Sequence, residues 1–243
     1  MRKVIKLFRG TQAELVASSE NPRLVVTPNT DHLRLLEGSA AFRRAYACAD
    51  VVVNDSQVLE LLAFRGRATK VSGSDLTPLK LAALPDGARV SIVGCPKKVG
   101  DWLETAYPAI QFQLAEPSMG FIRRPNERRR LETSTKDYAP DLILICTGAP
   151  QSELLGAQFR RNIGTCDIVC AGSSLIFMAG LKTRAPSIIR GIGLEWLWRM
   201  WGEPHTRFRY VIDALFLITN IRQLLQFRLT GAASFRRFKL VSE

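Results

Sequence analysis

Apolar residues in this chain gather in short continuous runs, separated by longer stretches with helical spacing. The runs are Arg23–Thr27, Ala49–Asn54 (ADVVVN), Arg89–Gly94 (RVSIVG), Ile110–Leu114, Asp141–Thr147 (DLILICT) and Cys166–Ala171 (CDIVCA). Between them, Asp31 to about Ala47, Ser56–Arg65 and the stretch after Gly94 read as helices. Continuous apolar strands alternating with helices predict an α/β fold, a mostly parallel sheet with helices on both faces. In such sheets the ligand sits at the carboxyl ends of the strands. Here those ends are Pro28-Asn29, Asn54-Asp55-Ser56, Gly94-Cys95-Pro96, Gly148-Ala149-Pro150 and Gly172-Ser173-Ser174. The run Arg123–Arg130 (RRPNERRR) reads as a solvated charged face, with phosphate affinity as the alternative. Farther on, Val211–Leu229 has the broad apolar face and basic polar face of a packed or interfacial helix. The tail Ser234–Glu243 is basic and is expected to fray.

One segment departs from this alternation. Thr183–Tyr210 holds Trp196, Trp198 and Trp201 among Arg184, Arg190, Arg199, Arg207 and Arg209. Tryptophan favours boundaries between apolar and wet surroundings, and the arginine fork suits phosphate. The whole chain carries 34 Lys+Arg against 22 Asp+Glu, a net charge of +12, so an anionic partner is expected. Five cysteines without a Cys-x-x-Cys pair, and only two histidines, give no zinc pattern; they read as buried thiols in a reducing compartment. The start, MRKVIKLFRG, has no signal-peptide core, and no run is long enough to span a bilayer. The expectation is a cytoplasmic protein that touches a membrane.

The strand-end loops supply the candidate chemistry. Asp55 ends a β-branched strand and could serve as a general base towards a sugar or alcohol hydroxyl; the alternative is a cap on the helix starting at Ser56. Asn29 could bond a sugar hydroxyl or serve the turn before Thr30. Gly73-Ser74-Asp75 offers backbone N–H groups at a helix start, and Gly94 and Gly148 allow close backbone approach to a ligand. There is no G-x-G-x-x-G, no P-loop, no D-x-D pair and no Ser/His/Asp or Cys/His set.

In order along the chain, these loops resemble the WecG/TagA/CpsF family of glycosyltransferases (glycosyltransferase family twenty-six). The landmarks are Thr27-Pro28-Asn29, Ala49-Asp50 through Asp55, Val71–Leu76, the strand ending at Gly94, Tyr107-Pro108, Gly120-Phe121 and Pro140-Asp141. They continue with Gly148-Ala149-Pro150 and Glu153, Ala179-Gly180, Arg184-Ala185-Pro186, Gly193–Trp196, Arg199, Glu203-Pro204 and Arg209-Tyr210. The resemblance covers residues 25–210. It implies a Rossmann-like core over residues 1–183, and a basic C-terminal helical appendage over 184–243 that completes the site and contacts the membrane.

The activity implied is an inverting, metal-independent transfer with no cofactor, from a UDP-sugar to an undecaprenyl-diphosphate-linked sugar. Its setting would be exopolysaccharide, capsule or cell-wall polymer synthesis at the inner face of the cell membrane, by a peripheral protein that forms homo-oligomers in solution. Asp55 matches the family's proposed base, and Thr27 and Asn29 match residues beside the sugar. Gly73, Ser74 and Asp75, together with Gly94, fall among the substrate-binding loops. The Gly148–Glu153 loop, with Pro150, Gln151 and Ser152, matches the segment near the donor. Arg184, Arg199, Arg207 and Arg209 match arginines that would neutralise the departing UDP.

Three positions depart from the family pattern. Ser56 replaces a glycine, Gln151-Ser152 replaces a basic residue and a glutamine, and Lys70 replaces an arginine. The altered loop favours a plain hexose donor over N-acetylmannosamine. Two rival readings are a nucleic-acid-binding module, for which no motif is present, and a family member turned scaffold.

Overall fold

A computed structural model describes residues 3–17, 19, 21–202 and 207–242. The first part of the chain runs β1 (Lys3–Leu7), α1 (Gln12–Val16), β2 (Leu24–Val26), α2 (Thr30–Gly38), α3 (Ala40–Tyr46), β3 (Val51–Val52) and α4 (Gln57–Leu59). A π-helical turn, Glu60–Phe64, extends α4, and α5 (Gly73–Ala82), β4 (Arg89–Val93), α6 (Lys97–Ala106) and β5 (Gln111–Ala115) follow. Next come a 3-10 turn at Phe121–Arg123, α7 (Pro125–Tyr138), β6 (Leu142–Ile145), α8 (Gln151–Asn162), β7 (Asp167–Cys170) and α9 (Ser174–Met178). The last part holds α10 (Ser187–Gly191), α11 (Glu195–Gly202), α12 (Arg207–Thr219), α13 (Ile221–Thr230), β8 (Ala232–Ser234) and β9 (Phe238–Ser242).

Six strands form one sheet in the order β3-β2-β7-β6-β4-β5, and every pairing in it is parallel. Successive residues on each strand feed opposite faces, as the strand period of two requires. Leu24, Val26, Ile143, Ile145 and Ile168 enter one apolar layer, while Val25, Leu142, Leu144 and Val169 enter the other. The first layer lies under α2, α3 and α8, and the second under α5, α6 and α9. The expected doubly covered α/β sheet is therefore present, with five predicted strands shortened at their ends and Ile110–Leu114 shifted by one residue to Gln111–Ala115.

Several boundaries differ from the sequence expectation. The helix expected over Asp31–Ala47 is two helices, because Ser39 ends α2 and caps α3 by accepting from Phe42 N at 3.2 Å. Val211–Leu229 likewise divides at Asn220 into α12 and α13. Within the basic run Arg123–Arg130, a proline at the first helical position starts α7.

The tail does not fray. β9 lies parallel to β1, with Lys3 opposite Phe238 and Leu7 opposite Ser242, and β8 pairs back antiparallel. Phe235, Phe238 and Leu240 are buried there with Phe227 and Phe64. In the sequence, Arg236, Arg237 and Lys239 hide this alternation behind charge.

Candidate active site

A cleft of about 290 Å³ opens at the carboxyl ends of β2 and β3. One wall comes from the strand-end loops: Asn29, Thr30 and Asp31 after β2, Asp55, Ser56 and Gln57 after β3, and Ser72 and Ser74 at the start of α5. The facing wall comes from the C-terminal segment through Arg184, Glu195, Trp196, Arg199, Arg209, Tyr210 and Asp213. Residues about 150 positions apart thus share one small space.

Asp55 is not a helix cap. Ser56 takes that role, its hydroxyl accepting from Leu59 N at 3.2 Å, while Asn54 Oδ1 accepts from Ser56 N at 2.9 Å. With the turn satisfied, the half-buried Asp55 carboxylate is left for the cleft. Burial pushes its pKa up to about 7; the Arg199 charge, the Gly73 N–H and Arg184 pull it down, and Glu195 pushes it further up. A carboxylate tuned near neutrality is suited to accept a proton from a hydroxyl at physiological pH.

Gly73 has a packing reason as well. A β-carbon there would come within 3.3 Å of Ala171 O, a tight contact that glycine avoids where the α5 N-terminus seats just past the end of β7. Asn29 caps α2, its side-chain oxygen accepting from His32 N at 3.3 Å, and it still lines the cleft. Cap and cleft roles coexist at this residue.

The arginines differ in what they already hold. Arg199 donates twice to Glu195 Oε1, at 2.6 and 3.1 Å, and lies over the Phe177 ring at 5.3 Å. Arg184 donates to Asp75 Oδ1 at 2.8 Å and Ser72 Oγ at 2.9 Å, while its Nε is buried without a partner. Asp75 therefore faces Arg184; its burial opposes ionisation, but Arg184 and Ser72 outweigh that and hold its pKa below the usual range. Arg209 lies over the Tyr210 ring at 5.1 Å. Arg207 donates to Met200 O at 3.0 Å and is directed at the chain rather than the cleft.

The remaining predicted residues lie around the cleft rather than in it. Thr27 is buried, its hydroxyl donating to Cys170 O at 3.4 Å. Gly94, at φ +95°, would carry a β-carbon 2.4 Å from Thr147 Cγ2, so its bare backbone accommodates the end of β6. Gly148 also has positive φ, with open space where a side chain would project. Pro150 and Gln151 line a separate groove on the outer face of α8.

Ser152 and Glu153 point the other way, into the buried layer. The Ser152 hydroxyl donates to Gly148 O at 3.1 Å. Glu153 has one carboxylate oxygen without a partner, and burial raises its pKa to about 7. His32 Nε2 is 4.0 Å away, but burial lowers His32 to about 4, so at neutral pH this contact is no ion pair. The Glu203-Pro204 landmark lies outside the described residues.

Two features escaped sequence reasoning. Glu195 stood in a motif without a role, yet it holds Arg199 and faces Asp55 electrostatically. Arg34 bridges two carboxylates of the cleft wall, bonding Asp31 and, at 2.8 Å, Asp213 on α12. That clamp ties the C-terminal segment to α2. It joins residues 179 positions apart, which no local pattern announces.

Beside the cleft, an apolar pocket of about 660 Å³ is lined by Phe177, Ile189, Leu194, Leu197, Trp198 and Trp201, and shares Arg199 with it. Trp196 faces the cleft, whereas Trp201 is 82 % exposed. Ile188, Phe208, Ile218 and Leu229 also present apolar surface to solvent on this segment. No helix among the described residues is long and apolar enough to cross a membrane.

A carboxylate near neutrality, opposed by arginines at the carboxyl edge of a parallel sheet, is an arrangement suited to proton transfer beside an anionic ligand in an α/β fold. The model of the glycosyl transferase WecG/TagA/CpsF family matches residues 8–230, and the chain belongs to that family. It is 26% identical over 207 residues to an N-acetylglucosaminyldiphosphoundecaprenol N-acetyl-beta-D-mannosaminyltransferase of Staphylococcus aureus strain MRSA252, covering 81% of this chain and 78% of that one. The protein of the same name from strain NCTC 8325 is 23% identical over 205 residues, with the same coverage. The chain is thus a glycosyltransferase by family rather than a nucleic-acid-binding module.

Proposed function

We propose that this glycosyltransferase moves a hexose or N-acetylhexosamine from a UDP-sugar to a sugar on undecaprenyl diphosphate, at the inner face of the cell membrane. The observation that carries this is Asp55, raised to about 7 in a cleft whose opposite wall holds Arg199, Arg184 and Arg209. Asp55 takes the proton from the acceptor hydroxyl as that oxygen attacks the anomeric carbon. The bond from that carbon to the diphosphate breaks on the opposite side, inverting the configuration. UDP leaves with its charge met by arginine, so the step needs no metal ion.

Residues 184–243 act in this reading as the appendage that completes the site. The apolar pocket beside Arg199 suits the lipid end of the acceptor, and Trp201, Ile188 and Ile218 suit the membrane boundary. The names of the relatives support an N-acetylglucosamine acceptor and make N-acetylmannosamine the first donor to assay. The argument for a plain hexose weakens here, because Ser152 is bonded within its own loop rather than offered to the cleft.

The test is UDP release from a panel of UDP-sugars, with undecaprenyl-diphosphate-N-acetylglucosamine in vesicles and with a short-chain soluble analogue. Wild type should use one donor with both acceptors. Trp201→Ser with Ile218→Ser should keep the soluble acceptor and lose most transfer to the vesicle-borne one. No UDP release from any donor would refute the assignment, and equal use of both acceptors by the double variant would refute the membrane contact.

A further inference from the structure

A second gathering of arginines lies on the outer face of the core. A groove of about 880 Å³ runs along α8, between α3 and the region where α7 begins. Arg44 of α3, Arg123 and Arg128 of the basic run, and Arg161 of α8 line it, and Ile122 and Leu154 supply apolar surface. None of these four guanidinium groups meets a carboxylate among the described residues. Arg161 donates to Cys48 Sγ at 3.3 Å, and Arg128 Nε is buried with no hydrogen-bond partner.

Arg124 of the same run, and Arg23, Arg34, Arg160, Arg184 and Arg199 elsewhere, are by comparison each matched with an acid. Glu132, on the same helix as Arg128, is held by the amides of Gln158 and Asn162 instead. Four like charges around one groove repel each other, and a buried N–H without a partner is costly. An anion relieves both. Guanidinium forks match phosphate oxygens in particular, and the volume falls in the range of small-molecule sites.

We propose that this groove is a second anion site, which takes an organic phosphate of nucleotide size. The phosphates pair with Arg44, Arg123, Arg128 and Arg161, and the apolar part rests on Ile122 and Leu154. The ligand is either a soluble nucleotide or the phosphorylated head group of a lipid. The site stands apart from the Asp55 cleft and does not depend on the transfer reaction assigned to it. Pro150, just before α8, and Gln151, its first residue, line the groove, so its ligand would touch the loop that follows β6.

Hydrogen exchange of the full chain, with inorganic diphosphate, uridine diphosphate or phosphatidylglycerol vesicles, localises binding without any need for turnover. Protection over residues 119–128 and 154–162 is expected with at least one of the three. Arg44→Gln with Arg161→Gln should weaken that protection roughly tenfold or more in ligand concentration, through lost charged hydrogen bonds. Arg129→Gln with Arg130→Gln removes the same charge from the same run, but these side chains flank a different depression, so protection should persist. Protection by diphosphate alone identifies a soluble phosphate, and protection only by vesicles identifies a head group. Protection confined to the cleft, none with any probe, or equal loss in both double variants would overturn the site.

Discussion

Asp55→Asn should lower the transfer rate by roughly 100- to 10,000-fold, the usual contribution of a positioned general base. The amide keeps the size of the side chain and can still face the Gly73 N–H, but it cannot take a proton from the acceptor. Because burial raises the Asp55 pKa to about 7, its ionised form opposes folding. Between the ordinary carboxylate range and pH 7 the folded state holds more protons at this residue than the unfolded chain. This contribution to stability is therefore present at low pH and is lost as pH rises through about 7. The asparagine variant should consequently melt no lower than wild type at pH 8. Thermal unfolding together with UDP release checks both halves: an inactive, destabilised variant would point to structure rather than catalysis, and near-wild-type turnover would remove Asp55 as the base.

Phe238→Ala should cost about 3–5 kcal/mol of folding stability, the range for emptying a large buried aromatic site. Phe238 is fully buried, stacked on Phe235 with ring centroids 4.5 Å apart, and stands opposite Lys3 on β1. Its removal weakens the joint between the two ends of the chain. Denaturant unfolding should show the loss, whereas an unchanged midpoint would mean that β8 and β9 are peripheral. The same joint affects the design of truncations. Cutting the chain after Ser187 would remove Phe227, Phe235, Phe238 and Leu240 from the core along with Arg199 and Arg209 of the cleft. Point substitutions separate the two roles; a truncation does not.

Much of the sheet was legible because parallel strands buried on both faces need continuous apolar runs. β2, β4, β6 and β7 are such runs, and each was found. β1 and β9 escape the apolar pattern because lysines interrupt their buried residues, so the strands read as a basic start and tail. Asp55 was legible as a strand-end carboxylate, but its release from capping depends on Asn54 and Ser56 bonding each other, a detail of the turn.

The C-terminal wall was legible in composition and not in aim. Arg199, Arg209 and Trp196 reach the cleft, while Arg207 turns to a backbone carbonyl and Trp201 to solvent. Helical phase and tertiary docking decide such directions, and residue type does not. The Gly148–Glu153 loop shows the same limit. Its neighbours divide between an outer groove and a buried layer, although the motif reads as one donor-facing segment.

The central claim is that Asp55 works as the base under the influence of the opposite wall. The pH dependence of kcat/KM for transfer tests it most directly when wild type is compared with Arg199→Gln and Glu195→Gln. Wild type should lose activity below a limb near pH 7 as Asp55 gains its proton. Arg199 lowers the Asp55 pKa, so its loss should move the limb upward; Glu195 raises it, so its loss should move the limb downward. Opposite displacements in the two variants are the predicted result. A limb that stays in place in both, or a flat profile between pH 5 and 8, would contradict the account.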